Sequence, residues 1–218
     1  MTNLNFSDLI TVESVLDIEH HVDGLKAVIF DLDDTLFSEK EYVRSGFEKV
    51  ANMFPDFAGM EDALWTVFTN GGNAIDEVLD DYGALNKENH EKCLEIYRFH
   101  KPNIHLYCGA AQMLVRLRKK GLLTGIITDG RPEGQHAKIK SLKIEHLFDN
   151  IIITDELGGV RFRKPNDKAF VLMCRKFGVR YEEAVYIGDN INKDFAAPKK
   201  LGMKSVLVKN PEGIYSGR

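Results

Sequence analysis

Cysteine is scarce in this sequence, which contains only three of these residues and no CxxC pair. Cys93, Cys108 and Cys174 lie far apart, each within an apolar pattern of helical type. An odd and scattered set of cysteines argues against a disulfide framework and against a zinc site. We therefore expect three reduced thiols in the core of a cytoplasmic protein.

Long apolar runs are also absent, since nowhere do 18 apolar residues follow one another. The first 21 residues, MTNLNFSDLITVESVLDIEHH, include acidic side chains and have no basic segment ahead of an apolar run. The sequence therefore predicts neither a transmembrane helix nor a signal peptide, and no membrane partner.

No charge of one sign dominates the chain, because 29 basic residues stand against 33 acidic ones. This balance argues against a nucleic acid or an anionic membrane recognised by bulk charge. The glycine-rich patterns GxGxxG and GxxxxGK[ST] are missing as well, so nucleotide-binding loops of those types are not indicated. A small molecule is the expected partner, and the sequence leaves open a monomer or a homodimer.

Five short apolar runs have the length of buried strands. Nearly continuous and rich in Val and Ile, they are typical of parallel strands buried on both faces. They are Ala27–Phe30, Leu122–Thr128, Ile151–Thr154, Ala184–Ile187 and Ser205–Val208. Helical patterns alternate with the later runs, which predicts an α/β fold with a doubly wound parallel sheet. The first 25 residues could add a short helix or an edge strand to this core, or form a subunit contact.

One long segment interrupts this alternation, because residues 38–105 show helical spacing only. We expect this segment to form a small all-helical domain inserted into a core of residues 1–37 and 106–218. Since the insertion directly follows an acidic strand end, it is expected to cover that end like a lid.

Acidic residues cluster where the first predicted strand ends. The stretch AVIFDLDDT places Asp31, Asp33 and Asp34 directly after four apolar residues. Carboxylates this close repel one another unless a cation or a positive dipole lies among them. Asp34 is interpreted as a turn or cap residue.

Other polar residues lie near the ends of the second and fourth predicted strands. They are Thr128, Asp129 and Gly130 after the second strand, Lys164 ahead of the fourth, and Asp189 and Asp194 after it. The ends of parallel strands gather at one edge of a sheet, where ligands bind. Carboxylates, a lysine and a hydroxyl at such an edge could hold Mg²⁺ and a phosphate together.

These stretches resemble the four motifs of the haloacid dehalogenase superfamily. DLDDT, the strand ending in Thr128, the Lys164-Pro165 pair and GDNINKD occur in the order of that family. The resemblance implies a Rossmann-like core with a cap between the first two motifs, as in phosphoglycolate phosphatase-like and N-acylneuraminate phosphatase-like enzymes. It also implies a magnesium-dependent phosphatase that acts on a small phosphorylated metabolite, with a sugar phosphate as the first guess. Because Asp33 is present, phosphoryl chemistry is favoured over dehalogenation.

The resemblance further implies a role for each matching residue. Asp31 corresponds to the nucleophile that forms an aspartyl-phosphate, and Asp33 to the general acid/base. Thr128 and Lys164 correspond to the residues that hold the phosphate. The expected substrate-binding set is Thr128, Asp129, Gly130, Arg131 and Lys164. Arg131 enters it because it closely follows Thr128, and it could equally lie in solvent where Pro132 starts a helix. The expected metal-binding set is Asp31, Asp33 through its backbone carbonyl, Asp189 and Asp194, the last directly or through water or Lys164.

Two alternatives to a phosphatase remain. A phosphomutase would use the same core but pass the phosphoryl group to a sugar hydroxyl. A non-catalytic regulatory domain would bind a phosphorylated ligand, but the presence of Asp31, Asp33 and Lys164 argues against it.

Overall fold

A parallel six-stranded sheet forms the core of the computed structural model, which describes residues 9–214. Its strands in chain order are β1 Ile10–Val12, β2 Ala27–Phe30, β3 Leu123–Thr128, β4 Asn150–Ile153, β5 Ala184–Gly188 and β6 Lys204–Val208. In space the order is β1-β6-β5-β2-β3-β4, and every pairing is parallel. The predicted doubly wound sheet is therefore confirmed.

The central position of β2 follows from its composition. All four of its residues are fully buried, as expected for a strand that is apolar throughout and covered on both faces. β2 pairs with β3 on one side and with β5 on the other, so that Phe30 lies opposite Ile126 and Ile187. These three strands consequently end side by side.

The N-terminal segment forms both an edge strand and a short helix, which the sequence had left as alternatives. β1 pairs with β6 at the edge of the sheet, and the 3₁₀ helix Val15–His20 follows it. Val15 and Ile18 are buried, which makes this segment part of the core. Residues 1–8 and 215–218, which the predicted core boundaries include, lie outside the described residues.

Residues 9–214 contain eight α-helices. They are α1 Glu39–Ala51, α2 Met60–Thr69, α3 Ala74–Asp81, α4 Lys87–Phe99, α5 Ala110–Lys119, α6 Pro132–Leu142, α7 Lys168–Phe177 and α8 Ala196–Leu201. Further 3₁₀ helices span Glu145–Leu147, Thr154–Leu157, Val160–Phe162 and Tyr181–Glu183. Among residues 9–214, no helix combines the length and apolar character needed to cross a bilayer.

Helix α7 shows how the helices pack against the sheet. Its buried face consists of Ala169, Phe170, Met173 and Cys174, spaced at the helical period. A Cβ atom at Gly125 of β3 would lie only 2.9 Å from the sulfur of Met173, so the missing side chain lets the helix approach the strand closely. The glycine in β3 thus sets the distance between α7 and the sheet at this point.

The segment Lys40–Ile104 is a separate compact unit built from helices, while the sequence placed its boundaries at 38–105. Its apolar core includes Val50, Leu64, Val78, Leu79 and Cys93. The rings of Phe47 and Phe68 meet edge to face, with centroids 5.8 Å apart. The unit therefore has an apolar core of its own, as a domain requires.

The cysteines differ from one another in their surroundings. Cys93 and Cys174 are buried, and burial raises the pKa of each thiol to about 11. Cys108 is exposed, so the prediction of a core thiol is wrong at this position. It lies in the turn just before α5 rather than on the buried face of a helix.

We expect one fast-reacting thiol per chain in the native protein and three after denaturation. A thiolate is the reactive form, and burial protects Cys93 and Cys174 from both ionisation and access. Titration with a chromogenic disulfide reagent at pH 8 measures this, and Cys108→Ser should remove the fast phase. A second fast thiol in that variant would contradict the burial described here.

Candidate active site

The strand ends bring the predicted residues of the core together at one edge of the sheet. Asp31 follows β2, Thr128 ends β3, and Asp189 follows β5. The backbone N–H of Asp31 donates to the carbonyl of Ile187 at 2.8 Å, which extends the strand pairing to the acidic residue. The side chains of Asp31 and Thr128 are buried, so their polar atoms need partners within the protein.

A buried lysine stabilises this edge. Nζ of Lys164 lies 2.8 Å from a carboxylate oxygen of Asp31 and 2.8 Å from one of Asp194. It also donates to the hydroxyl of Tyr186 at 2.9 Å. Burial alone would lower the pKa of Lys164, but the two carboxylates outweigh it and hold that pKa well above its usual value. Lys164 is therefore a permanent cation in the site.

Asp31 is held in its ionised form. Burial would raise the pKa of its carboxyl group, but Lys164 and Lys193 outweigh this effect and lower the pKa. Nζ of Lys193 lies 3.9 Å from Oδ2 of Asp31. Lys193 was not among the predicted site residues, although it directly precedes Asp194 in GDNINKD. An ionised, buried carboxylate between two lysines is suited to nucleophilic attack.

Three carboxylates form a group at this edge. Asp31, Asp189 and Asp194 each place one oxygen within 4.8 Å of the others. Burial together with the charges of Asp31 and Asp194 raises the pKa of Asp189 to about 8. Oδ2 of Asp31 is buried and accepts no hydrogen bond from the described residues. Repelling carboxylates with an unused buried oxygen fit a hard divalent cation.

The side chain of Asp33 points elsewhere, towards α6. Nζ of Lys138 lies 2.6 Å from its Oδ1, and Nε2 of Gln135 donates to its Oδ2 at 2.8 Å. Gln135 also donates to the hydroxyl oxygen of Thr128. The metal assignment of Asp33 concerns its backbone carbonyl and stays a prediction.

Neither of these two residues of α6 was predicted from the sequence. Gln135 and Lys138 are buried and polar, three positions apart on the helix that follows Thr128. That spacing places two side chains on one helical face, which is the only signal available for them in the sequence.

Asp129 orients the loop that carries Lys164. Its Oδ1 accepts hydrogen bonds from the hydroxyl of Thr154 at 2.8 Å and from the backbone N–H of Lys164 at 3.1 Å. Gly130 has a φ of +145°, which favours glycine, and Arg131 is exposed at the start of α6. The substrate-binding roles of Asp129, Gly130 and Arg131 stay predictions.

Asp34 has structural contacts, in agreement with its interpretation as a turn or cap residue. It is buried with a φ of +54°, a conformation that aspartate tolerates better than most residues. Its Oδ1 accepts the N–H of Glu39 at the start of α1, and its Oδ2 accepts the N–H of Ile214. Asp34 thus ties the first helix and the C-terminal turn to the acidic loop.

Known proteins resemble this chain over most of its length. The family model of haloacid dehalogenase-like hydrolases matches residues 28–208. A glyceraldehyde 3-phosphate phosphatase of Pyrococcus furiosus is 30% identical, over 85% of this chain and 81% of its own. A phosphoserine phosphatase of Thermus thermophilus is 25% identical, over 84% of this chain and 88% of its own.

A solved structure has the same fold. A Bacillus subtilis hydrolase bound to magnesium aligns with 86% of this chain and 88% of its own, with a TM-score of 0.62 and 18% identity. The chain belongs to the haloacid dehalogenase-like hydrolases, as the motifs predicted. Both curated relatives are named phosphatases, which identifies the enzyme class as a phosphoric monoester hydrolase.

We expect Gly188→Ala to destabilise the site. An added Cβ atom would lie 2.5 Å from Oδ2 of Asp194, so this carboxylate would have to move away from its partners. Urea unfolding should show a loss of about 1–3 kcal/mol in the free energy of unfolding. An unchanged free energy would mean that Asp194 moves without cost, contrary to the packing described.

Proposed function

We propose that the protein is a magnesium-dependent phosphatase that hydrolyses a small phosphorylated metabolite through an aspartyl-phosphate. The observation that carries this proposal is the buried carboxylate of Asp31, paired with Lys164 and lying beside Asp189 and Asp194. A nucleophile, a fixed positive charge and a set of oxygen ligands are the parts that phosphoryl transfer to a carboxylate requires.

The metal would be held by Asp31, Asp189 and the backbone carbonyl of Asp33, with Asp194 as a direct or indirect ligand. The unused Oδ2 of Asp31 and the raised pKa of Asp189 support this assignment. When bound, Mg²⁺ neutralises charge on the carboxylates and on the phosphoryl oxygens. The magnesium-bound relative of the same fold adds support.

In the first step, a carboxylate oxygen of Asp31 forms a bond to phosphorus while the bond from phosphorus to the ester oxygen breaks. Protonated Asp33 gives its proton to this leaving oxygen, so that a neutral alcohol departs. Lys164 and the hydroxyl of Thr128 hold the phosphoryl oxygens during the transfer. The products of this half are an alcohol, an aspartyl-phosphate on Asp31 and an ionised Asp33.

In the second step, water attacks phosphorus and the bond from phosphorus to Asp31 breaks. Asp33 takes a proton from the attacking water and thereby returns to its acid form. Inorganic phosphate leaves, and Asp31 is again a free carboxylate. Each turnover thus consumes one water and restores both aspartates.

Sugar phosphates are the proposed substrate class, with a triose phosphate first among them. The support is the named activity of the Pyrococcus relative, whose similarity extends over 85% of this chain. The helical unit Lys40–Ile104 occupies the chain position of a cap, between Asp31 and Thr128. We infer that this unit selects the organic part of the substrate.

We expect phosphate release from one sugar phosphate to exceed that from other substrates when magnesium is present. The panel consists of glyceraldehyde 3-phosphate, hexose phosphates, sugar acids carrying phosphate, and nucleotides, each with magnesium and then with a chelator. The specificity constant kcat/KM ranks them. Conversion of one sugar phosphate into its isomer without release would instead indicate a phosphomutase, and no turnover of any substrate would indicate a binding domain.

Asp31→Asn should abolish turnover in the same assay while leaving the fold intact. The amide keeps the shape of the side chain but cannot form the aspartyl-phosphate. Asp23→Asn, which changes an exposed carboxylate of the core, is the matched control and should retain full activity. Undiminished activity of Asp31→Asn would refute the mechanism.

Magnesium should raise the melting temperature, because it binds the folded carboxylate cluster and relieves its repulsion. At a magnesium concentration of about one hundred times the dissociation constant, the free energy of unfolding should rise by about 2.7 kcal/mol. This corresponds to a rise of roughly 5–10 °C in the melting temperature. Asp189→Asn should reduce this shift strongly, whereas Asp81→Asn, at an exposed carboxylate, should leave it unchanged. Equal shifts in both variants would place the ion outside the proposed site.

A further inference from the structure

Two donors from one helix hold both carboxylate oxygens of Asp33. Lys138 reaches Oδ1 at 2.6 Å and Gln135 reaches Oδ2 at 2.8 Å. Hydrogen bonds to both oxygens of one carboxylate fix its plane and its rotation, because neither oxygen can move without losing a partner. We call Gln135 and Lys138 the α6 clamp.

The clamp is buried and electrically matched to its surroundings. Gln135 is 2% exposed and Lys138 5% exposed, so neither is a solvated surface residue that meets Asp33 by chance. Nζ of Lys138 also lies 3.9 Å from a carboxylate oxygen of Glu39 and 5.9 Å from the centre of the Phe37 ring. A buried ammonium is costly unless it is paired, and here the carboxylate of Asp33 and an aromatic face supply the pairing.

Gln135 connects the two functional side chains that it touches. Its Nε2 carries two hydrogens, of which one is donated to Asp33 and the other to the hydroxyl oxygen of Thr128. Since that oxygen accepts from Gln135, the proton of the Thr128 hydroxyl can be donated to a phosphoryl oxygen. One amide therefore sets both the rotation of Asp33 and the direction of the Thr128 donor.

The clamp leaves Asp33 able to accept a proton. An ionised carboxylate has about four lone-pair positions, and the two bonds to the clamp use only one on each oxygen. We propose that Gln135 and Lys138 are positioning residues that orient Asp33 as the base for hydrolysis of the aspartyl-phosphate. In that step one O–H bond of the attacking water breaks, its proton bonds to Asp33, and the oxygen bonds to phosphorus as the bond to Asp31 breaks.

This inference rests on the proposed function and concerns mainly its second step, the hydrolysis of the aspartyl-phosphate. An aryl phosphate with a weakly basic leaving group, such as 2,4-dinitrophenyl phosphate, needs no proton from Asp33 in the first half. The specificity constant for this substrate reports the first half only, whereas kcat includes the hydrolysis step. The two constants can therefore separate a defect in positioning the base from general damage to the site.

The test uses Lys138→Met with 2,4-dinitrophenyl phosphate and magnesium. We expect kcat to fall by about tenfold to a hundredfold, while kcat/KM changes less than about threefold. This fall is part of the 10²–10⁴-fold rate acceleration that a general base contributes. A burst of about one dinitrophenolate per enzyme should precede the slow phase, and acid quenching should trap the aspartyl-phosphate. Lys138→Arg, which keeps a charged donor, should recover part of kcat.

The controls separate this inference from the proposed function. Lys140→Met removes an exposed lysine from the same helix and should behave as the unmodified protein. If Lys138→Met does not fold, Lys138→Gln, which removes the charge but keeps a polar side chain, takes its place in the same comparison. The clamp alone would be overturned if the unmodified enzyme is active and depends on Asp31, but Lys138→Met does not lower kcat selectively. Such a result would be an equal fall in kcat and kcat/KM, no change in either constant, or a rise in kcat. No magnesium-dependent turnover by the unmodified protein would overturn the proposed function and the clamp with it.

Discussion

The ion pairs of Lys164 with Asp31 and Asp194 are the interaction on which the rest of the site depends. Each group is buried, and removing a charge from water costs several kcal/mol unless partners replace the lost hydration. Lys164 reaches two carboxylates at 2.8 Å, and its backbone N–H is anchored by Asp129. The lysine therefore permits three carboxylates to share one edge of the sheet, where burial and the charges of Asp31 and Asp194 raise the pKa of Asp189 to about 8.

The parallel sheet supplies the positions for these charges. β2 lies between β3 and β5, so residues that are distant in the chain come together where the three strands end. The close approach also depends on a missing side chain, since a Cβ atom at Gly188 would collide with Asp194. Apolar strand residues that pack on both faces hold the backbone rigid here, and rigid elements orient functional groups more accurately than loops do.

Much of this arrangement could be predicted because it depends on short-range signals in the sequence. The continuous apolar runs located the strands to within one residue, and parallel pairing then implied that Asp31, Thr128 and Asp189 lie at the same edge. Gln135 and Lys138 were missed because a polar residue on a helix is usually solvated, and only the tertiary structure shows this face to be buried. Cys108 was misplaced for the converse reason, since an apolar neighbourhood in sequence does not ensure burial.

Asp31 and Asp33, the first two aspartates of DLDDT, are distinguished by their surroundings rather than by their chemistry. Asp31 lies between Lys164 and Lys193 beside two further carboxylates, where its remaining oxygen is available to a cation. Asp33, two residues later, is bound by Lys138 and Gln135 of α6. Since identical side chains acquire different roles when their environments differ, one short loop can present a nucleophile and a proton acceptor together. Each aspartate has its own lysine partners, since Lys164 and Lys193 lie beside Asp31 and Lys138 of α6 pairs with Asp33.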